Sequence, residues 1–250
     1  MLKKFFKKII RKIAFGKNQE RTTLFESLEH VKRIGFTPKT IFDVGVAKGT
    51  RDLYKAFPDS FFVLIEPIKE YESYMKKILK KYKGIYKLTA ASSQKGFTNF
   101  NFHPNHMDGS SILKEETGKE SDGFEIKVPT SKIDDIVSDD NLMGPFIIKV
   151  DVQGAEIEVL KGALETLKNT EIVALEVSLF KFMKGAPDLF EILEFMKKYG
   201  FVTYDILKGF YRPLDNALGQ VDIVLVKENG RFRKDHRFAS ENQLKNLGFI

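Results

Sequence analysis

Four short runs of this sequence are apolar almost without interruption: 40–44 (TIFDV), 61–65 (FFVLI), 145–150 (PFIIKV) and 171–177 (EIVALEV). A strand with one face in water alternates polar and apolar residues. A run that is apolar throughout reads as a strand covered on both faces, the habit of parallel sheets. Stretches of helical spacing separate these runs. Residues 23–35 place Leu24, Leu28 and Val31 on one side and end at Gly35, and 188–199 place Leu189, Ile192, Leu193 and Met196 on one side and end at Gly200. Further helices are expected over 48–57, stopped by Pro58, and over 68–82, 131–137 and 156–167; further strands over 84–90, 201–206 and 220–226. Repeated alternation of strand and helix implies an α/β fold, with a mostly parallel sheet and helices on both faces. Ligands of such sheets bind beyond the carboxyl ends of the strands, so the residues that follow each strand are the ones to examine.

The rhythm changes after residue 97. Residues 98–102 (TNFNF) and 124–128 read as a strand pair, and the stretch between them is polar and contains glycine. Residues 97–130 are therefore expected to form an insertion or lid, since long loops of this kind often cover active sites.

After the first strand the chain reads FDVGVAKGT (42–50), which brings Asp43, Gly45 and Gly49 to a tight loop before a helix. Glycines let a backbone turn sharply and approach a ligand, and the helix that follows offers free N–H groups. The second strand ends in Glu66-Pro67, and a carboxylate there suits the hydroxyl pair of a ribose. NAD and S-adenosylmethionine both carry that ribose, and a plain glycine turn in an α/β core would look similar. The Gly-x-x-x-Gly spacing lacks the third glycine of the dinucleotide fingerprint, which favours S-adenosylmethionine over NAD.

The fourth strand runs into FIIKVDVQGAEIEVLKGA (146–163), with Asp151 at the strand end, Gly154 in the turn and Glu156 opening a helix. This run closely resembles the signature of the FkbM-type methyltransferases, and the opening loop resembles the D-x-G-x-x-x-G element of that family. Further matches are VLIEP (63–67), AASSQKG (90–96), GSSIL (109–113), LEVS (175–178) and the closing stretch 200–227. The resemblance covers roughly residues 38–227. It implies a Rossmann-like class I methyltransferase fold with a seven-stranded sheet whose last strand is antiparallel. It also implies S-adenosylmethionine as cofactor and methylation of a hydroxyl, often on a sugar, glycan or natural product. By the same resemblance Asp43, Gly45, Val46, Ala47, Gly49 and Thr50 would surround the methionine portion. Glu66 and Pro67 would hold the ribose, and Ala90, Ala91 and Ser92 would lie near the adenine. Asp151 would lie closest to the transferring methyl, as base, acceptor-orienting group or cofactor ligand; the plainer reading is a cap for the turn that follows. The family loop often carries Asn where this chain has Ala47, which puts affinity for the cofactor in question.

An alcohol must lose its proton to accept a methyl group, so a base is sought. His103 and His106, in the long loop, are candidates beside Asp151; Ser110, Ser111 and Glu176 are candidates for contact with the acceptor. Asp151 and Glu176 could together hold Mg²⁺, but the sequence offers no third ligand, and a metal is not expected.

Composition narrows the remainder. The chain of 250 residues has no cysteine, which excludes a disulfide framework, a thiolate metal site and a cysteine nucleophile. Its net charge of +7 is gathered at one end: residues 1–17 hold Lys3, Lys4, Lys7, Lys8, Arg11, Lys12 and Lys17 and no acid, leaving 34 basic residues against 34 acidic ones in the rest. Nucleic acid is accordingly not an expected partner; a small-molecule or glycan acceptor is. In the same segment Leu2, Phe5, Phe6, Ile9, Ile10 and Ile13 fall on one helical stripe with basic residues opposite. A basic amphipathic helix over 2–15 suits anionic lipid or an acidic partner, or packs on the domain. The expected organisation is thus an N-terminal helix and linker (1–22), a methyltransferase domain (23–230) and a C-terminal extension (231–250). The expected location is cytoplasmic, with peripheral contact at the inner face of the membrane. The alternatives are an inactive methyltransferase-like binding module and an NAD-dependent oxidoreductase.

Overall fold

The structure, a computed structural model, describes residues 20–116 and 123–250. The expected N-terminal helix lies outside the described residues. Three strands that are buried at nearly every position form the centre: β1 (Thr40–Val44), flanked by β2 (Phe61–Ile65) and β7 (Phe146–Val150), all parallel. The sheet continues past β2 to β3 (Gly84–Lys87), and past β7 to parallel β8 (Thr170–Ser178) and antiparallel β11 (Leu218–Lys227). Alternate residues of β1 feed two cores. Ile41 packs toward α1 (Leu24–Arg33), α2 (Arg51–Ala56) and α3 (Glu72–Leu79) through Leu28, Leu53 and Met75. Phe42 and Val44 pack toward α4 (Ile133–Asp139), α5 (Glu156–Lys161), α6 (Leu164–Lys168) and α7 (Leu189–Lys198) through Ile133, Val159, Leu167 and Met196. The sheet is therefore buried on both faces, as the uninterrupted apolar runs require.

Three expectations need correction. Among the described residues the sheet has eight strands rather than seven. Strand β11 outruns its neighbour β9 (Phe201–Ile206), which pairs with Ile223–Lys227, and the free stretch is taken by a short β10 (Phe210–Tyr211). The turn between them is tight, because a Cβ on Gly209 would lie 2.3 Å from the Gln220 carbonyl oxygen. The strand expected over 84–90 breaks after Lys87, and β4 (Ala90–Ala91) leaves to join a second sheet with β5 (Gly96–Phe102) and β6 (Phe124–Ser131). Thr89 holds the break by donating its hydroxyl to the Pro129 carbonyl at 2.9 Å. The helix expected over 156–167 is interrupted at Gly162, where the Ser92 carbonyl oxygen lies 2.0 Å from the place a Cβ would take.

The second sheet lies over one end of the first and seals its own small core of Ile68, Tyr71, Phe100, Phe102 and Val128. The chain beyond β11 stays attached through Phe232, packed edge-on against Phe36, and includes α8 (Glu241–Leu247), capped by Ser240. Among the described residues no helix is long and apolar enough to cross a membrane.

Candidate active site

A cleft of about 340 Å³ opens at the carboxyl ends of β1, β2 and β7. Its floor is the loop from Gly45 to Thr50, folded with Gly45, Ala47 and Gly49 all at positive φ. Gly45 is needed at its place: a Cβ there would lie 1.8 Å from the Asp151 carbonyl oxygen. Gly45, Val46, Ala47, Gly49, Thr50, Glu66, Pro67, Ala90, Ala91, Ser110, Asp151 and Glu176 all border the cleft.

Glu66 fastens the loop to β2. One carboxylate oxygen accepts the Ala47 N–H at 3.0 Å and the other accepts the Ile68 N–H at 3.0 Å. Burial raises its carboxyl to about 7 against the opposing pull of those two N–H groups. Each oxygen keeps a lone pair for a further donor.

Asp43 has no exposed surface and does not border the cleft. It accepts the Thr50 hydroxyl at 2.8 Å and the Tyr54 hydroxyl, and Lys149 Nζ lies 3.6 Å away. Its work in this structure is to shape the loop and the start of α2. Lys149, not singled out in the sequence, links both sides of the floor. Its ammonium reaches Asp151 at 3.3 Å and the Gly45 carbonyl at 3.2 Å. Burial alone would lower its pKa, but the charges of Asp151 and Asp43 hold it above the ordinary lysine value.

Beyond Asp151 stands a row of side-chain amides and carboxylates. Gln153 donates to Asp151 at 3.1 Å and to Glu176 at 2.9 Å, and Gln220 donates to the same Glu176 oxygen at 2.9 Å. Burial, then the charge of Asp151, raises the Glu176 carboxyl to about 7. A donor amide thus already bridges the two carboxylates considered for a metal. Among the described residues no group of three acidic or histidine side chains could hold a metal ion. Glu156, at the start of α5, is buried, which raises its carboxyl to about 7, and it accepts the Gly154 N–H at 2.9 Å to close the turn.

Asp151, Glu176 and Lys149 also border a second cavity of about 410 Å³, between the start of α1, the start of α2, the later part of β8 and the middle of β11. Asp222 opens onto it, and its carboxyl is pushed up to about 6 by loss of surrounding water and then by Asp151. Gln153 lies in the turn after β7 and Gln220 and Asp222 lie within β11; they were missed because a single amide or acid there carries no motif of its own.

Residues 100–112 form a lid on the cleft, with Phe100, Met107, Asp108, Ser110 and Ile112 along its underside. The Tyr71 hydroxyl donates to Asp108 across the gap. Ser111 is a latch: its hydroxyl donates to the Gln153 carbonyl at 2.8 Å. Neither histidine borders the cleft. His103 is buried beside Asn101, 2.8 Å from its amide, while His106 lies exposed against Gly109. Ser92 also stays outside, its N–H bonded to Ser131.

The model of the FkbM methyltransferase domain matches residues 43–203. The chain belongs to that family. No match was found among the curated proteins. Among solved structures, this FkbM methyltransferase is similar to magnesium protoporphyrin IX methyltransferase from Synechocystis, solved with bound S-adenosylmethionine: 10% identity, 81% of this chain, 77% of that one, TM-score 0.45. It is also similar to a 1,6-didemethyltoxoflavin-N1-methyltransferase from Burkholderia thailandensis (8% identity, 82% and 79% covered, TM-score 0.44) and to precorrin-6y C5,15-methyltransferase from Geobacter metallireducens (12% identity, 81% and 86% covered, TM-score 0.40).

The loop geometry at position 47 suits asparagine better than alanine. Ala47 has φ 44°, in the left-handed region, where asparagine is enriched and alanine is disfavoured by about 1–2 kcal/mol. Ala47→Gly should therefore stabilise the FkbM domain by about 1 kcal/mol, read as a rise of roughly 2–4 °C in melting temperature. An unchanged or lower melting temperature would show that the loop does not hold this conformation.

Proposed function

We propose that this FkbM methyltransferase uses S-adenosylmethionine to methylate a hydroxyl of a sugar, glycan or natural product. The observation that carries this reading is the placement of a glycine loop, Glu66 and Asp151 around one cleft at the ends of three adjacent strands. The residues present suit that cofactor. Glu66 has one lone pair left on each oxygen for the two ribose hydroxyls. The loop from Gly45 to Gly49 offers main chain and small side chains to the methionine portion, and Ala90, Ala91, Pro67 and Phe100 offer apolar walls to the adenine.

S-adenosylmethionine, when bound, supplies a methyl group on a positively charged sulfur. The chain has to align an acceptor with it, exclude water and take the acceptor's proton. The lid held by Ser111 and Asp108 lies over the cleft, where it would shield bound cofactor from water. Asp151 has both oxygens engaged, one by Lys149 and one by Gln153, and fixes the floor below the acceptor. Glu176 has one oxygen held by two amides and borders both cavities, so a hydroxyl from the second cavity can reach it. A carboxyl near 7 is matched to proton abstraction at neutral pH.

The sign follows from ionisation. Glu176 can take a proton only as the carboxylate, which dominates above pH 7. Turnover should rise with pH and level off above about 7. Glu176→Gln should remove that limb and lower turnover roughly a hundredfold or more. Calorimetry with S-adenosylmethionine, S-adenosylhomocysteine and NAD tests the cofactor; binding of NAD alone would overturn the reading. Transfer of labelled methyl to a panel of hydroxylated acceptors tests the reaction.

A further inference from the structure

We propose that Gln153 is a positioning residue: it seats the Glu176 carboxylate for proton abstraction, and the lid residue Ser111 holds Gln153 in place to do so. This rests on the reading of Glu176 as the base. Gln153 follows β7 in the turn to α5 and has φ 54°, in the left-handed region. Glutamine is disfavoured there, and glycine would adopt the same backbone freely. Non-glycine residues in such conformations cluster at active sites, where their surroundings hold them. The contacts of this side chain are specific. Its amide nitrogen lies 3.1 Å from an Asp151 oxygen and 2.9 Å from Glu176 Oε1. Between two carboxylates only the NH2 end of the amide fits, and its two hydrogens serve one acceptor each. Gln220 donates to the same Oε1 from β11. Both amides thus hold one oxygen of Glu176. Its Oε2 accepts no hydrogen bond among the described residues and is the atom left to take a proton.

The main chain of Gln153 is fixed from the other side. Ser111 is buried, and its hydroxyl donates to the Gln153 carbonyl at 2.8 Å. Ser111 is itself tied to β5: its carbonyl accepts the Asn101 N–H at 2.7 Å, and its N–H donates to the Asn101 carbonyl at 3.2 Å. A Cβ on neighbouring Gly154 would lie 3.2 Å from the Leu113 side chain, so turn and lid are in close contact. A continuous line of contacts therefore runs from β5 through Ser111 and Gln153 to Glu176.

The test is an NMR titration of the full chain labelled with carbon-13 at its glutamate carboxyls, the Glu176 signal being assigned by its loss in Glu176→Gln. The parent signal is expected to titrate near pH 7. An amide that donates to a carboxylate favours the ionised form, so Gln153→Gly should move the midpoint up by about one pH unit. That variant should stay folded, because glycine suits the backbone. Gln153→Asn suits it too, but its stem is one carbon shorter and too short to bridge both carboxylates, so it should titrate like Gln153→Gly. Ser111→Ala should move the midpoint in the same direction by less. The charged groups around Glu176 are Asp151 and Lys149 at the end of β7, Asp222 on β11, and Arg51, Asp52 and Lys208 on the other walls of the second cavity. The variants leave all of these in place, so a moved midpoint reports the amide. A signal that titrates near pH 7 in the parent and unchanged in Gln153→Gly overturns the positioning role and leaves the base standing. A parent-like midpoint in Gln153→Asn also overturns that role, because the turn alone would then suffice. An unmoved midpoint in Ser111→Ala overturns the part assigned to the lid. A parent signal in the ordinary carboxylate range overturns the base and the positioning role together.

Discussion

Gly45→Ala should abolish cofactor binding and lower the melting temperature by roughly 10 °C. The added Cβ would lie 1.8 Å from the Asp151 carbonyl oxygen and 2.9 Å from its carbon. Both obstacles are main chain, so no side chain can swing aside. Relief would require parting β1 from β7 where the Asp151 N–H donates to the Val44 carbonyl at 3.1 Å. Gly45 also has φ 74°, so overpacking and left-handed strain add to a cost of about 3 kcal/mol or more. Gly35→Ala is the control. Gly35 has φ 87° but nothing within 4 Å, so that variant bears the backbone strain alone, about 1 kcal/mol. Thermal melts and calorimetry on the two variants separate contact from conformation. A Gly45→Ala protein that binds S-adenosylmethionine within a few-fold of the parent would show that the two strand ends do not meet as described.

The parallel core was legible because burial on both faces leaves a direct trace: TIFDV, FFVLI and FIIKV have little alternation, and all three runs are buried. The closing strands were harder, since β9 and β10 share one neighbour and their division depends on a turn at Gly209 that no periodicity records. At the site, residue type and spacing located the loop and Glu66, but not what each carboxylate faces. Asp43 and Glu66 both belong to strand ends; Asp43 turns inward because α2 returns Thr50 and Tyr54 to it, a matter of tertiary packing. Lys149 could have been found. A lysine inside FIIKV must leave water, and a buried ammonium needs carboxylates around it. His103 could have been read differently too. It stands two residues from Asn101 at the end of an alternating strand, so both side chains share a face and bond to each other. The Tyr71–Asp108 contact across the cleft joins residues far apart in the chain, and nothing local signals it.

Glu66 carries the second large effect. Under the proposed function, Glu66→Ala removes the two acceptors offered to a ribose, and it strips the Ala47 and Ile68 N–H groups of their partner. Hydrogen bonds to a charged group contribute about 1.5–3 kcal/mol each, so affinity for S-adenosylmethionine should fall roughly a hundredfold or more. The pH dependence gives a finer test. In the free protein burial raises this carboxyl to about 7, and ribose hydroxyls are donors that favour the ionised form. Binding therefore draws the group toward the carboxylate, and affinity should weaken as pH falls through 7, by about tenfold between pH 8 and pH 6. Glu156 and Glu176 are also raised to about 7, so the slope alone does not name its source. Glu66→Gln does: the amide keeps the shape, cannot ionise, and should bind weakly with a flat profile. If Glu66→Gln keeps the parent slope, the titrating group lies elsewhere in the cleft. If Glu66→Ala keeps the parent affinity, Glu66 serves only to fasten the glycine loop to β2, and the ribose must find its acceptors on another wall.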